Sequence, residues 1–132
     1  MRKIATLFFV LLFSSFILSA CGGGTSAGDA AGKSAEAYLN ALVAGDGDKM
    51  STLSCAEWEE NALLELDSFM AVEAALEDMV CTQTGTDGDK ALVSCQGKII
   101  TTYNDEKSEI DLSSRTYEMT QSAGEWLVCG YR

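Results

Sequence analysis

Near Met79 the chain changes period, and this constrains its fold more than any other feature. Before that point apolar residues recur every three or four positions. After it they alternate, with β-branched residues and glycine-containing turns between the runs. Helices first and strands after specify an α+β domain, in which two to three N-terminal helices cover one face of an antiparallel meander. "KSAEAYLNALVAGDGDK" places Ala35, Tyr38, Leu39 and Leu42 on one helical face, with Ser34 as N-cap and Gly45 as the stop. Asp48 is expected to cap a short second helix, "KMSTLSC", that turns Met50 and Leu53 inward. "AEWEENALLELDSFM" carries Trp58, Ala62, Leu66, Phe69 and Met70 at helical spacing, and its helix ends between Phe69 and Leu76.

Four strands are expected, at Glu77–Gly85, Lys90–Tyr103, Lys107–Gln121 and Glu125–Tyr131. The joints "TDGD", "NDE" and "SAG" are short, so neighbouring strands pair antiparallel. In the third strand Ile110 and Leu112 share one face while Tyr117 and Met119 take the other. That asks for a bulge or strong twist near Ser113 and Ser114.

Ahead of the domain, "MRKIATLFFVLLFSSFILSA" joins a positive start at Arg2 and Lys3 to an apolar run, the pattern of an export signal. The junction "LSAC", Leu18 to Cys21, resembles the lipobox of bacterial lipoproteins. That resemblance implies a diacylglyceryl group on the Cys21 thiol, cleavage before Cys21, and anchoring in the lipid bilayer on the extracytoplasmic face of a bacterial membrane, since two or three acyl chains hold where one does not. Gly22 lacks the aspartate associated with inner-membrane retention, which leans toward the outer membrane of a cell that has two. The division is then 1–20 signal, 21–33 lipidated cysteine with a flexible Gly/Ala/Ser tether, and 34–132 domain.

Composition narrows the partners. The chain has nine basic and twenty acidic residues; without Arg2 and Lys3 the seven that remain leave a net charge of −13. Such a surface is repelled by nucleic acid and by anionic lipid. With no histidine anywhere, histidine-based triads and histidine zinc sites are excluded. No cofactor or metal site is expected.

The order "AEAYLNALVAGDGDKMSTLS", an acidic third helix, the hairpin "DGDKALVSCQG" and the terminal "GEWLVCGY" resembles the nuclear transport factor 2-like superfamily, especially its small bacterial lipoprotein branch. The resemblance implies a cone of helices on a curved sheet and, in some members, a pocket between the two. It also implies dimerisation through the open sheet face as one route to a homodimer or a surface protein partner. The four domain cysteines depart from most members.

Those cysteines, Cys55, Cys81, Cys95 and Cys129, belong to an exported chain, where disulfides persist. Zinc is the competing use, but gaps of 25, 13 and 33 residues lack paired ligand spacing, and there is no C-x-x-C for redox chemistry. The hairpin favours Cys81 with Cys95, which leaves Cys55 with Cys129. Register then carries information. A two-residue Asp87–Gly88 turn sets Cys81 opposite Ser94 with the thiols on opposite faces, so the bond requires an odd loop or a bulge.

The acids Glu57, Glu59, Glu60, Glu65, Asp67, Glu73, Glu77 and Asp78 read as a solvated helix face. Asp46 with Asp48 and Asp87 with Asp89 read as turn chemistry, since neither continues into a calcium loop. The steroid isomerase branch of the superfamily implies an alternative: a small isomerase or hydratase with an aspartate base and tyrosine donors in a pocket. Tyr38, Tyr103, Asp111 and Tyr117 are the groups comparable to that set, and core or rim positions are the better reading of the tyrosines. Trp58 and Trp126 read as core anchors. The favoured function is a non-catalytic domain that binds a small ligand or a protein partner.

Overall fold

The computed structural model describes residues 27–132; the signal, Cys21 and the first part of the tether lie outside the described residues. Three helices, α1 (Ala27–Ala44), α2 (Gly47–Thr52) and α3 (Glu59–Phe69), precede five strands, β1 (Glu73–Asp87), β2 (Lys90–Tyr103), β3 (Glu106–Asp111), β4 (Thr116–Ser122) and β5 (Glu125–Tyr131). The sheet runs β1-β2-β4-β5, with β3 beside β4 as a second partner of β2. This is the α+β arrangement that the change of period implies.

Helix α1 begins seven residues before Ser34, inside the stretch read as tether. The small residues there serve close packing. Ala31 and Gly32 are buried, and a Cβ on Gly32 would run into the Cys81 carbonyl of β1. Alanine has the highest helix propensity, so this segment continues the helix where the sheet can cover it. Ser34 is consequently no N-cap; its hydroxyl donates to the Trp126 carbonyl and ties α1 to β5. The C-terminal stop stands as expected: Gly45 takes φ +70° and its N–H donates to the Leu42 carbonyl at 3.2 Å. The cap of α2 is Asp46, whose carboxylate accepts from the Lys49 N–H at 3.0 Å, and Asp48 sits in the first turn instead.

The β1–β2 hairpin meets the register demand with a bulge. A two-residue Gly88–Asp89 turn pairs Asp87 with Lys90, and an unbroken ladder from there would set Cys81 opposite Gln96. One extra residue, Thr84, shifts the ladder by one place and brings Cys81 opposite Cys95 and Gln83 opposite Val93. The Cys81–Cys95 disulfide lies on the inner face, with both residues buried beneath α1. A second bulge places Asp78 and Met79 against Gly97.

The third expected strand is two strands. β3 covers β2 from Lys98 to Tyr103 and β4 covers it from Ala91 to Ser94. Between them a 3-10 turn at Leu112–Ser114 reverses the face, with Asp111 accepting from the Ser113 N–H at 2.8 Å as its cap. At the far edge the α2–α3 connection protects β5. The Cys55 N–H donates to the Val128 carbonyl at 2.9 Å, the Val128 N–H donates to the Leu53 carbonyl at 2.8 Å, and Cys55 is disulfide-bonded to Cys129. The core lies between α1 and the sheet, where Tyr38, Leu39, Leu42, Val93, Cys95, Tyr117, Met119 and Val128 are buried. The outer sheet face carries Thr82, Ser94, Gln96, Lys98, Thr116 and Glu118. Among the described residues, no helix is long and apolar enough to cross a membrane.

Candidate functional site

α3 packs on α1 and α2 and stands off the sheet, and the gap is a cavity of about 420 Å³. Its apolar floor is Ile99, Ile110 and Leu112, where the 3-10 turn interrupts the third strand. Its walls come from one side of α3, with Trp58, Asn61, Glu65 and Phe69 at helical spacing, and from Arg115 and Tyr131 where β4 begins and β5 ends.

Trp58 is placed by the Cys55–Cys129 link three residues before it, because the Trp58 N–H donates to the Cys55 carbonyl at 2.9 Å. From there the aromatic residues form a closed ring. Trp58 meets Tyr131 edge-on at 5.3 Å between centroids, Tyr131 meets Tyr117 at 5.9 Å, and Tyr117 meets Tyr38 at 6.2 Å. The Trp58 Nε1–H then donates to the Tyr38 hydroxyl at 3.2 Å.

On this ring sits an ion pair. The Tyr38 hydroxyl donates to Glu65 Oε2 at 3.1 Å, and Arg115 Nη1 donates to Glu65 Oε1. The Glu65 side chain is 10% exposed and that of Arg115 31%. The Arg115 guanidinium lies 4.2 Å above the Tyr131 ring, so it is held by a cation–π contact as well as by the carboxylate. Burial acts to lower the Arg115 pKa, but the hydrogen bond and charge of Glu65 hold it above its ordinary value. Burial and the negative charge of Glu65 hold the Tyr38 hydroxyl protonated far into alkali. Burial likewise pushes Tyr117 up to about 12. The buried Tyr117 hydroxyl makes no hydrogen bond of ordinary geometry, but the Arg115 guanidinium lies close enough to donate to it loosely, and both that contact and its charge oppose the rise.

Of the four residues compared with an isomerase set, Tyr38 and Tyr117 come together beneath the cavity. Asp111 lies at its rim, exposed, with Oδ1 occupied by the Ser113 N–H and hydroxyl at 2.8 and 2.7 Å. Tyr103 is 59% exposed beside the β2–β3 turn and lines a different surface hollow. No tyrosine hydroxyl reaches Asp111 among the described residues. The acid at the site is Glu65, which the sequence reading placed on the solvated face. The overlooked signal is spacing: positions 58, 62, 65, 66 and 69 form one stripe, and Glu65 lies on it. Arg115 and Tyr131 gave no signal of their own, since the fold alone brings them to α3. Trp58 packs against the core as expected of an anchor, yet also walls the cavity. Asp46 serves local structure as a helix cap, whereas Asp87 is a 2.7 Å partner of Arg132, far away in the sequence.

The fold and site define an α+β domain with a side cavity between its third helix and an open sheet. No protein-family model and no curated protein matches the chain. Solved structures do resemble it in fold. The SEC-C motif containing protein RPA3114 from Rhodopseudomonas palustris superposes with a TM-score of 0.52 at 10% identity, over 78% of this chain and 79% of that one. The helical cell shape determining protein Pgp2 from Campylobacter jejuni gives 0.51 at 9% identity, over 75% of this chain and 38% of that one. A variant of Rd1NTF2_05 gives 0.48 at 12% identity, over 74% and 90%.

Proposed function

We propose that this chain is a lipid-anchored extracytoplasmic protein whose domain binds a small ligand in the cavity between α3 and the sheet. One observation carries the binding reading: the acid of the cavity is already engaged. Glu65 gives one oxygen to Arg115 and the other to Tyr38, so it fixes the wall in place of offering a free base to a substrate. The cavity is of ligand size, largely apolar in its floor, and bordered by a few polar groups, the composition of a binding site. The aromatic ring and the disulfide at Cys55 make that wall rigid, which lowers the ordering cost of binding. The anchor rests on "LSAC" and the segment before it.

Two readouts test this. In cells fed an alkyne-bearing fatty acid, the chain should be labelled and Cys21→Ser should not; equal labelling of the two contradicts the anchor. The Cys21→Ser chain should enhance Nile red fluorescence saturably at one site. Ser68→Trp, which adds bulk at the cavity wall, should abolish the signal; its persistence places the dye elsewhere.

A further inference from the structure

We propose that the Arg115 side of the cavity is a carboxylate subsite, and that the ligand is an amphipathic monocarboxylate whose apolar body lies over Ile99, Ile110 and Leu112. This rests on reading the cavity as a ligand site.

The argument is a surplus of donors. A guanidinium offers five N–H groups in a flat fork, and its Nε and Nη2 share the edge that takes a carboxylate bidentately. Arg115 meets Glu65 through Nη1 alone; among the described residues its Nε and Nη2 have no hydrogen-bond partner. The Tyr131 ring and the Glu65 carboxylate together hold the guanidinium in place, so its uncommitted edge is pre-positioned. Arg115 also lies beside the buried Tyr117 hydroxyl, which makes no hydrogen bond of ordinary geometry and does not line the cavity, so the guanidinium edge itself is the donor that the cavity presents.

Other ligand classes fit less well. A cation would need an open aromatic face or a free acid. One face of Tyr131 is covered by Arg115, both Glu65 oxygens are engaged, and Asp111 is tied to Ser113 through Oδ1 and otherwise faces solvent at the rim. An uncharged ligand leaves the bidentate edge to water. The acidic surface opposes an anion from a distance, but that field fades beyond roughly 10 Å in ordinary salt, so the local donors decide.

The test is calorimetric, with the full chain in lipid nanodiscs and empty nanodiscs as blank. The probes are 4-phenylbutyrate and 4-phenylbutan-1-ol, which share an apolar body and differ in the head. The acid should bind about tenfold more tightly or better, as expected for a charge-assisted pair of hydrogen bonds. Arg115→Lys, which keeps the charge and loses the fork, should cut that preference to about threefold or less. Glu65→Gln removes the competing carboxylate and should raise affinity for the acid; it serves equally well where the Arg115 variant does not fold. Equal binding of acid and alcohol, or a preference untouched by both substitutions, overturns the carboxylate subsite while the cavity reading stands. Binding of neither probe overturns both.

Discussion

Glu65 and Arg115 lie fifty residues apart, one on α3 and the other at the start of β4, and their ion pair is the direct polar link between the standing-off helix and the sheet across the cavity. Because the pair is mostly withdrawn from water, removing one partner strands the other. Arg115→Met should destabilise the domain by about 1–3 kcal/mol, below the cost seen for fully buried pairs because Arg115 keeps some solvent contact. The double variant Glu65→Leu with Arg115→Met should recover most of that loss. Urea unfolding of the four forms gives the coupling; additive losses would show that the two side chains do not depend on each other.

The two buried tyrosines should respond oppositely to loss of the hydroxyl. Tyr38 accepts from Trp58 and donates to Glu65, so Tyr38→Phe breaks two bonds and should cost about 1–2 kcal/mol. Tyr117 makes no hydrogen bond of ordinary geometry and has only a loose contact with Arg115, so Tyr117→Phe should be neutral or slightly stabilising, within about 0.5 kcal/mol. Chemical denaturation at neutral pH reads both, and a large loss from Tyr117→Phe would reveal a partner for its hydroxyl.

Alkaline pH should expose the same residues. Burial raises both hydroxyls above the ordinary tyrosine value, with Tyr117 at about 12 and Tyr38 higher still. Below pH ~10 both are protonated folded and unfolded, and neither contributes a pH dependence. Above it the unfolded chain loses these protons first, so stability falls as pH rises from ~10 through 12. Absorbance of tyrosinate should therefore show two of the four tyrosines titrating only as the chain unfolds. Simple titration of all four at pH ~10 would contradict the buried ring.

The two disulfides close loops of very different length, at sequence separations of 14 and 74. Constraint of the unfolded chain is worth about 3 kcal/mol for the short loop and 4–5 kcal/mol for the long one, as upper values. Cys55→Ser with Cys129→Ser should lower the Tm more than Cys81→Ser with Cys95→Ser, and it should also loosen Trp58. Scanning calorimetry orders the two; a larger loss from the hairpin pair would mean that its buried packing outweighs loop length.

Gly97 is held at φ +91° beside the second bulge, and an added Cβ would lie 2.5 Å from the carbonyl oxygens of Glu77 and Asp78. Gly97→Ala should cost about 2–4 kcal/mol, since neither the backbone angle nor the neighbouring main chain can yield cheaply. A stability change under about 0.5 kcal/mol would show that the bulge is free to relax.

The α+β order, the helix stop at Gly45 and the need for an odd loop or a bulge before Cys95 were legible because each follows from period, turn chemistry or parity along the chain. The start of α1 was not: "AGDAAGK" has the composition of a linker, and only a sheet lying close enough to need small residues makes it a helix. The site was half legible. Tyr38 and Tyr117 sit on apolar stripes, and so does Glu65, but an acid among seven others resembles a solvated face until Arg115 is brought to it. That meeting depends on where the third strand breaks, which a run of residues from Lys107 to Gln121 signals only as a change of face.

The central claim is that the space between α3 and the sheet is a ligand site walled by Trp58. Two-dimensional amide and indole NMR of the chain during titration with 4-phenylbutyrate tests it most directly, because the two tryptophans, Trp58 and Trp126, report separately. The indole N–H of Trp58 and the amides of Arg115 and Tyr131 should shift together and saturate, while the Trp126 indole stays in place. Shifts confined to Trp126 or scattered over the outer sheet face, or no saturable shift at all, would contradict it.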